Sequence, residues 1–199
     1  MTGGEIRLLD AAALRRVYRD HVKADFPPAE RKPLAMIERQ VRTGQYDTLG
    51  LFRGETLLAY AFLWRDKEGH CALLDYLAVC RGGRGQGTGS AFVEQLKAHY
   101  GGFDGLLVEA EAEDPQAGEE QNALRRRRID FYRRCGFRML DYKARLFGVT
   151  YAMLASGALT DADALAAHRR HYRLDEPGFN PLRAMAEIPC SSGSASSSS

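Results

Sequence analysis

The sequence predicts an α/β (α+β) chain of about seven strands and about four helices, with one more helix near the C-terminal end. Short apolar runs of strand length alternate with segments whose apolar residues are spaced as on one face of a helix. Glycine- and proline-containing turns separate many of these segments. The chain has 199 residues and 45% of them are hydrophobic, which is enough for one well-buried core.

The first half of the chain carries clear start and stop signals. Asp10 can cap the first helix, and the proline-containing segment Phe26–Lys32 breaks it. Pro33 suits the first position of a second helix, and Gly44 lies just past its end. The strands predicted in this half are residues 5–9, 48–53, 56–64 and 73–79.

The second half of the chain also contains apolar residues at helical spacing and apolar runs of strand length. Apolar residues at helical spacing from Phe92 to Tyr100 predict a helix, and Thr160 can start the last one. His168 and His171 have helical spacing within that last helix and are expected to form a surface pair. The other elements predicted here are strands at residues 106–112, 137–142 and 149–155, and a helix at 119–135.

Bulk properties narrow the function classes. The net charge of +2 argues against a nucleic-acid binder that works by overall charge. No apolar run has the length of a membrane span, and no signal-peptide pattern opens the chain. The four cysteines lack paired spacing, so we expect reduced thiols, no metal site and a cytoplasmic protein. The serine-rich tail is expected to be disordered.

A glycine-dense loop follows the apolar strand that ends at Val79 and precedes a helix. Backbone N–H groups at a helix start attract anions, and glycine lets a ligand approach the backbone. A P-loop is excluded by one residue. Gly82 and Gly87 have the spacing of the two P-loop glycines, but Thr88 follows Gly87 where the motif needs a lysine. The dinucleotide fingerprint is excluded because no glycine or alanine stands at its last position. The loop therefore predicts a site for a different diphosphate.

Two motifs resemble the GNAT family of N-acetyltransferases. The segment Arg84–Gly89 matches the family's Gln/Arg-x-x-Gly-x-Gly/Ala loop, and the strand before it ends in Leu-Ala-Val. Tyr132 and Gly136–Phe137 match the family's Tyr-x-x-x-Gly-Phe segment. Asn122 lies farther ahead of Tyr132 than the asparagine common in the family. The resemblance covers roughly residues 5–155.

The resemblance implies a mixed, mostly antiparallel sheet that is splayed at its middle. It also implies acetyl-CoA as cosubstrate, with no metal. The domain would span residues 1–155, with a helical extension packed on it at 156–188 and the disordered tail at 189–199. The residues implied to bind the coenzyme are Leu77, Ala78, Val79, Arg84, Gly85, Gln86, Gly87, Thr88, Gly89 and Ser90.

The implied reaction is acetyl transfer to a primary amine by direct attack in a ternary complex. Such an amine is almost fully protonated at neutral pH, so the site needs a base. Strand alternation places Asp75 on one face with Leu73 and Leu77, and a carboxylate in that apolar strand is conspicuous. Asp75 and Glu111 are the first candidate bases, and Glu109 is the reserve. The acidic face could instead point to solvent, or Asp75 could pair with an arginine. By resemblance, Tyr132 would give the leaving thiolate a proton or a hydrogen bond. It could instead be a core tyrosine on the buried face of its helix.

The sequence does not identify the amine that accepts the acetyl group. Phe26, Glu30 and Glu109 are candidate acceptor-binding residues, and the nearby carboxylates favour a cationic amine, either a small molecule or a peptide. A non-catalytic acyl-CoA sensor is the main alternative function. The arginines of segment 125–134 suggest nucleic acid only weakly, because they spread around the helix axis. We expect neither nucleic-acid nor membrane partners, and either a monomer or a homodimer.

Overall fold

In the computed structural model, which describes residues 4–190 without the side chain of Ala29, the chain divides into two units. The first unit contains the residues up to Lys67 together with Ala72–Gly102. The second contains Glu68–Cys71 together with the residues from Phe103 onward. Each unit combines antiparallel strands with helices.

The first unit has four strands, which pair antiparallel in chain order. They are β1 (Glu5–Leu8), β2 (Tyr46–Arg53), β3 (Thr56–Arg65) and β4 (Cys71–Val79), of which all but Cys71 belongs to this unit. The middle of β3 is fully buried and forms the centre of this unit's core. β4 carries a β-bulge at Asp75, because Leu74 pairs with Leu63 and Tyr76 pairs with Phe62, which leaves Asp75 without a partner.

The helices of the first unit begin and end as their local sequence requires. The carboxylate of Asp10 accepts a hydrogen bond from the Ala13 amide at 2.7 Å, which caps the first helix. The helical stretch that this cap begins continues to Asp25 and ends before Pro27 and Pro28. In order, the helical segments are α1 (Ala11–Val17), a π-helical turn (Tyr18–Val22), α2 (Lys23–Asp25), a 3-10 turn (Pro28–Glu30), α3 (Leu34–Arg42), a 3-10 turn (Arg81–Gly83) and α4 (Thr88–His99).

In the second unit, β7 lies between β5 and β6, and β8 pairs with the outer edge of β6, all antiparallel. Gly136 has a φ of +81° and ends α5 in the left-handed region, as the sequence predicts. Thr160 caps α6. The elements are β5 (Gly105–Glu111), α5 (Glu119–Arg134), β6 (Arg138–Leu146), β7 (Val149–Ala155), α6 (Asp161–His171), a 3-10 turn (Pro181–Ala184) and β8 (Ala186–Glu187).

The predicted fold class is confirmed: the chain is a mixed α/β protein with mostly antiparallel strands. Residues 4–190 contain eight strands, where about seven were expected, because β8 has only two residues and no sequence signal. The domain boundaries and the splay stay predictions, and the predicted disorder of residues 191–199 lies outside the described residues. None of the helices in the described part of the chain is long and apolar enough to cross a membrane.

Candidate functional site

The loop between β4 and α4 has the geometry of an anion site. Gly85 and Gly87 have φ values of +77° and +73°, in the region that favours glycine. A Cβ atom built at either position would meet nothing within 4 Å. Gly87 is the N-cap of α4, no side chain caps this helix, and no acidic residue stands in its first turn. The helix start therefore directs backbone N–H groups toward an open approach.

The side chain of Arg84 lies across the base of this loop. Its Nε donates to the Val79 carbonyl oxygen at 3.1 Å, and one terminal nitrogen lies 3.0 Å from an oxygen of Asp25. The hydroxyl of Tyr60 donates to the other Asp25 oxygen at 3.0 Å. Burial, and then the nearby Asp25 carboxylate, raise the pKa of Tyr60, so this hydroxyl stays a donor. Arg84 thus ties the loop to the end of α2.

Cys80 and His21 lie beside this arrangement. The Cys80 sulfur is 3.8 Å from Nδ1 of His21, and the His21 and Tyr60 ring centroids are 6.1 Å apart. Burial and the Asp25 carboxylate raise the pKa of the Cys80 thiol, while Arg84 opposes them. The thiol is therefore kept protonated and is a weak nucleophile.

Asp75 is held in a cationic and aromatic setting. Its Oδ2 lies 2.6 Å from Nζ of Lys32 and also accepts a hydrogen bond from the hydroxyl of Tyr46. The side chains of Asp75 and Lys32 are 13% and 23% exposed. The sequence allowed a pairing of Asp75 with an arginine. That alternative is wrong, because the cationic partner is Lys32.

The bulge also corrects the predicted face of Asp75. The extra residue interrupts alternation, so Leu73 shares a face with Tyr76, and Leu74 shares the other face with Leu77. Leu73 and Leu77 therefore do not lie on one face with Asp75, as simple alternation predicted.

The predicted acceptor segment is attached to β4. The ring of Phe26 packs edge-on against Tyr76, with centroids 4.9 Å apart. The Tyr76 hydroxyl donates to the Glu30 carbonyl oxygen at 3.0 Å and accepts from the Lys32 amide at 2.7 Å. The Tyr18 hydroxyl donates to the Lys32 carbonyl oxygen at 2.8 Å. Tyr76 thus connects the ring of Phe26 and the backbone of Glu30 and Lys32 to β4 within the first unit. The bonded atom of Glu30 is its backbone oxygen and not its carboxylate.

Glu111, the second candidate base, lies in the second unit and is also paired. Its carboxylate is 2.9 Å from Nε of Arg125 and 3.7 Å from Arg128, and 17% of its side chain is exposed. Arg126 and Arg133 pair with other carboxylates, so four of the six arginines of this segment lie in ion pairs. These pairings weaken the nucleic-acid interpretation.

Glu109 is part of a buried network that the sequence did not predict. Its Oε1 lies 2.8 Å from Nε2 of His168 and accepts from the Tyr172 hydroxyl at 3.1 Å. The Tyr142 hydroxyl is 3.3 Å from Nδ1 of His168. The side chain of His168 is 0% exposed, so the prediction of a surface pair with His171 is wrong. Ala164, Ala167 and His168 share the buried face of α6.

Tyr132 lies on the buried side of α5, as either of its predicted roles requires. It is 7% exposed, and its ring contacts those of Phe131 and Phe137 edge-on. Burial raises the pKa of Tyr132 to about 12, so the phenol is protonated at neutral pH. Among residues 4–190, no side chain or carbonyl accepts a hydrogen bond from its hydroxyl.

Asn122 has a structural role. Its side-chain oxygen accepts from the Asp114 amide at 3.0 Å, and its side-chain nitrogen donates to the Asp114 carbonyl oxygen at 2.9 Å. These bonds close the turn that leads from β5 into α5. Within the described ranges, no three His, Cys, Asp or Glu side chains are placed to hold a metal ion.

Comparisons with known proteins concern the sequence and the fold of the chain. The sequence profile of the acetyltransferase (GNAT) family matches residues 14–137. No curated protein sequence matches the chain. A solved structure described as a GNAT-family acetyltransferase from Bacteroides thetaiotaomicron has a TM-score of 0.67 and 18% identity, covering 87% of this chain and 99% of that one.

Two further structures share the fold at low identity. The ribosomal-protein-S18-alanine N-acetyltransferase from Escherichia coli has a TM-score of 0.58 and 18% identity, covering 78% of this chain and 94% of that one. Spermidine N-acetyltransferase from Vibrio cholerae, solved with CoA and spermine, has a TM-score of 0.60 and 9% identity, covering 83% and 99%. At such identities the likeness concerns the fold alone.

Proposed function

The chain belongs to the GNAT family of acetyl-CoA-dependent N-acetyltransferases, and from this membership we propose that it transfers the acetyl group of acetyl-CoA to a primary amine by direct attack. The observation that carries the proposal is the open start of α4. Gly85 and Gly87 leave room for a ligand, and no side chain caps the helix. Both features suit the pyrophosphate of the coenzyme.

The chain's own residues would hold the cosubstrate along β4. The amides of segment Arg84–Ser90 would bind the pyrophosphate, and the backbone of Leu77–Val79 would pair with the extended arm. These three strand residues are only half-buried, whereas most of β4 is fully buried. The Val79 carbonyl oxygen already accepts from Arg84, so a ligand reaching it would share or displace that contact.

Proton transfer falls to Asp75, Glu111 and Tyr132 in the proposal. Asp75 touches an ammonium group, that of Lys32, so it can accept a proton from an amine placed there. Glu111 is paired with the guanidinium of Arg125, as Asp75 is paired with the ammonium of Lys32. Tyr132 stays protonated and has a hydroxyl available for donation to a thiolate.

The acceptor is proposed to be a cationic amine. The carboxylate of Asp75, the ring of Tyr46 and the ring of Phe26 combine negative charge with aromatic faces, which favours an ammonium group. Two of the similar structures are a ribosomal-protein-S18-alanine N-acetyltransferase and a spermidine N-acetyltransferase. A polyamine and a peptide amine are therefore the first acceptors to test.

A coenzyme-binding module without turnover is the second candidate. It is favoured by one observation: both candidate bases are already in ion pairs with cationic side chains of the chain itself. Calorimetry with CoA tests the coenzyme site, and thiol release from acetyl-CoA with a panel of polyamines and peptides tests turnover. Binding with turnover on an amine supports the enzyme. Binding with no turnover on any amine supports the module, and no binding overturns both.

A further inference from the structure

We propose that Lys32 is a self-acetylation site, whose Nζ takes the acetyl group from the coenzyme bound to the same chain. The inference rests on the proposed function, since it needs acetyl-CoA along β4. It adds a second acceptor, one that belongs to the protein. Three observations carry it: the setting of the Lys32 amine, the anchoring of its backbone and the accessible track along β4.

The amine of Lys32 already touches a base. Its Nζ lies 2.6 Å from Oδ2 of Asp75, within hydrogen-bond distance, and 5.5 Å from the centroid of the Tyr46 ring. Only 23% of the Lys32 side chain and 13% of the Asp75 side chain is exposed. Acetyl transfer needs a base within hydrogen-bond reach of the acceptor nitrogen, and the Asp75 carboxylate has that position toward Lys32.

The backbone of Lys32 is fixed on both sides. Its amide donates to the Tyr76 hydroxyl at 2.7 Å, and its carbonyl oxygen accepts from the Tyr18 hydroxyl at 2.8 Å. The side chain therefore extends from a fixed origin toward Asp75. Such positioning raises the rate of a reaction with a neighbouring group relative to the same reaction of a mobile surface lysine.

An accessible track connects the phosphate loop with this lysine. In β4, only Asp75 and Leu77–Val79 are not fully buried. At about 3.3 Å per residue, Asp75 lies roughly 13 Å from Val79 along the strand. The loop that would grip the pyrophosphate begins just past Val79. An extended coenzyme arm that runs back along β4 therefore carries its acyl end toward Asp75 and Lys32.

The step balances without any further reactant. Asp75 takes a proton from the Lys32 ammonium, and the neutral Nζ attacks the thioester carbonyl carbon. The new N–C bond forms and the C–S bond breaks, and the thiolate leaves with the second proton of the nitrogen as the free thiol of CoA. Asp75 passes its proton to water. The product amide carries no charge, so Asp75 loses the cation that now neutralises it.

The test is to incubate the purified full chain with acetyl-CoA labelled with ¹³C in the acetyl group. Intact-mass analysis and peptide mapping then locate the label. We expect one acetyl group per chain, on Lys32, with a rate constant independent of protein concentration because the reaction is intramolecular. Lys32→Arg should abolish this label while keeping the positive charge. Asp75→Asn should slow it by about 10²-fold or more.

Lys23 provides a matched control, because it lies on the neighbouring helix α2 and is exposed. Lys23→Arg should leave the Lys32 label unchanged. Labelling of Lys23 as fast as Lys32, or a rate that rises with protein concentration, would overturn the inference. If CoA binds and an external amine is acetylated while Lys32 stays unlabelled, the inference fails and the proposed function stands. If CoA does not bind at all, both fail.

Discussion

Substitution of Gly87 tests the coenzyme site most directly. Its φ of +73° is unfavourable for any other residue, so Gly87→Ala should cost about 1–2 kcal/mol of folding free energy. A Cβ at this position meets no protein atom within 4 Å, so it adds no clash in the free protein. Gly87→Glu adds a negative charge beside the expected pyrophosphate. At about 4 Å near a protein surface, that repulsion is about 4 kcal/mol, or roughly 10³-fold in Kd for CoA.

Two control variants separate the possible causes of a loss of CoA affinity measured by calorimetry. Gly54 has a φ of +57° and also has nothing within 4 Å of a built Cβ, but it lies in the β2–β3 turn. Gly54→Ala should therefore cost the same stability as Gly87→Ala and leave CoA affinity unchanged. Gly87→Gln supplies bulk without charge. A folded Gly87→Glu variant that binds CoA as tightly as the unmodified chain would falsify the proposed position of the pyrophosphate.

Three more variants test other parts of the site. Tyr132→Phe should lower turnover about 10²-fold while CoA affinity stays nearly constant, and equal turnover would remove the phenol from the mechanism. Asp25→Asn removes the charge that pairs with Arg84 and should tighten CoA binding up to about fivefold in calorimetry. Weaker binding would show that Arg84 contacts the coenzyme from the position in which Asp25 holds it. His168→Ala leaves a buried carboxylate with fewer partners and should lower the free energy of unfolding by about 2–4 kcal/mol in urea titrations. His171→Ala, on the half-buried side of the same helix, should cost less than about 1 kcal/mol, and equal costs would contradict the role given to the network.

The features that could be predicted from the sequence are those that depend on residues close together along the chain. The helix cap at Asp10, the left-handed stop at Gly136 and the glycine loop all rest on local backbone chemistry, and the structure has each of them. Family membership followed from the two motifs for the same reason. Strand β6 was predicted too short, because its solvent-facing residues after Tyr142 are charged and hide the alternation.

The pairings within the site depend on contacts that are distant in sequence. Asp25 meets Arg84 and Glu109 meets His168, in each case 59 residues apart, and no spacing rule connects them. The bulge at Asp75 depends on the register with β3, which the sequence of β4 alone does not contain. For His168 a signal was present, since it follows the small residues of the buried face of α6.

One short segment of the first unit contacts both parts of the proposed site. Asp25, at its start, holds Arg84 of the phosphate loop, and Lys32, at its end, holds Asp75. If a substrate that alters the first contact also changes the second through this segment, the coupling free energy between the two substrates must be reciprocal. Coenzyme and amine should then change each other's dissociation constant by the same factor. Titration of each in the presence of the other would give that factor twice, independently.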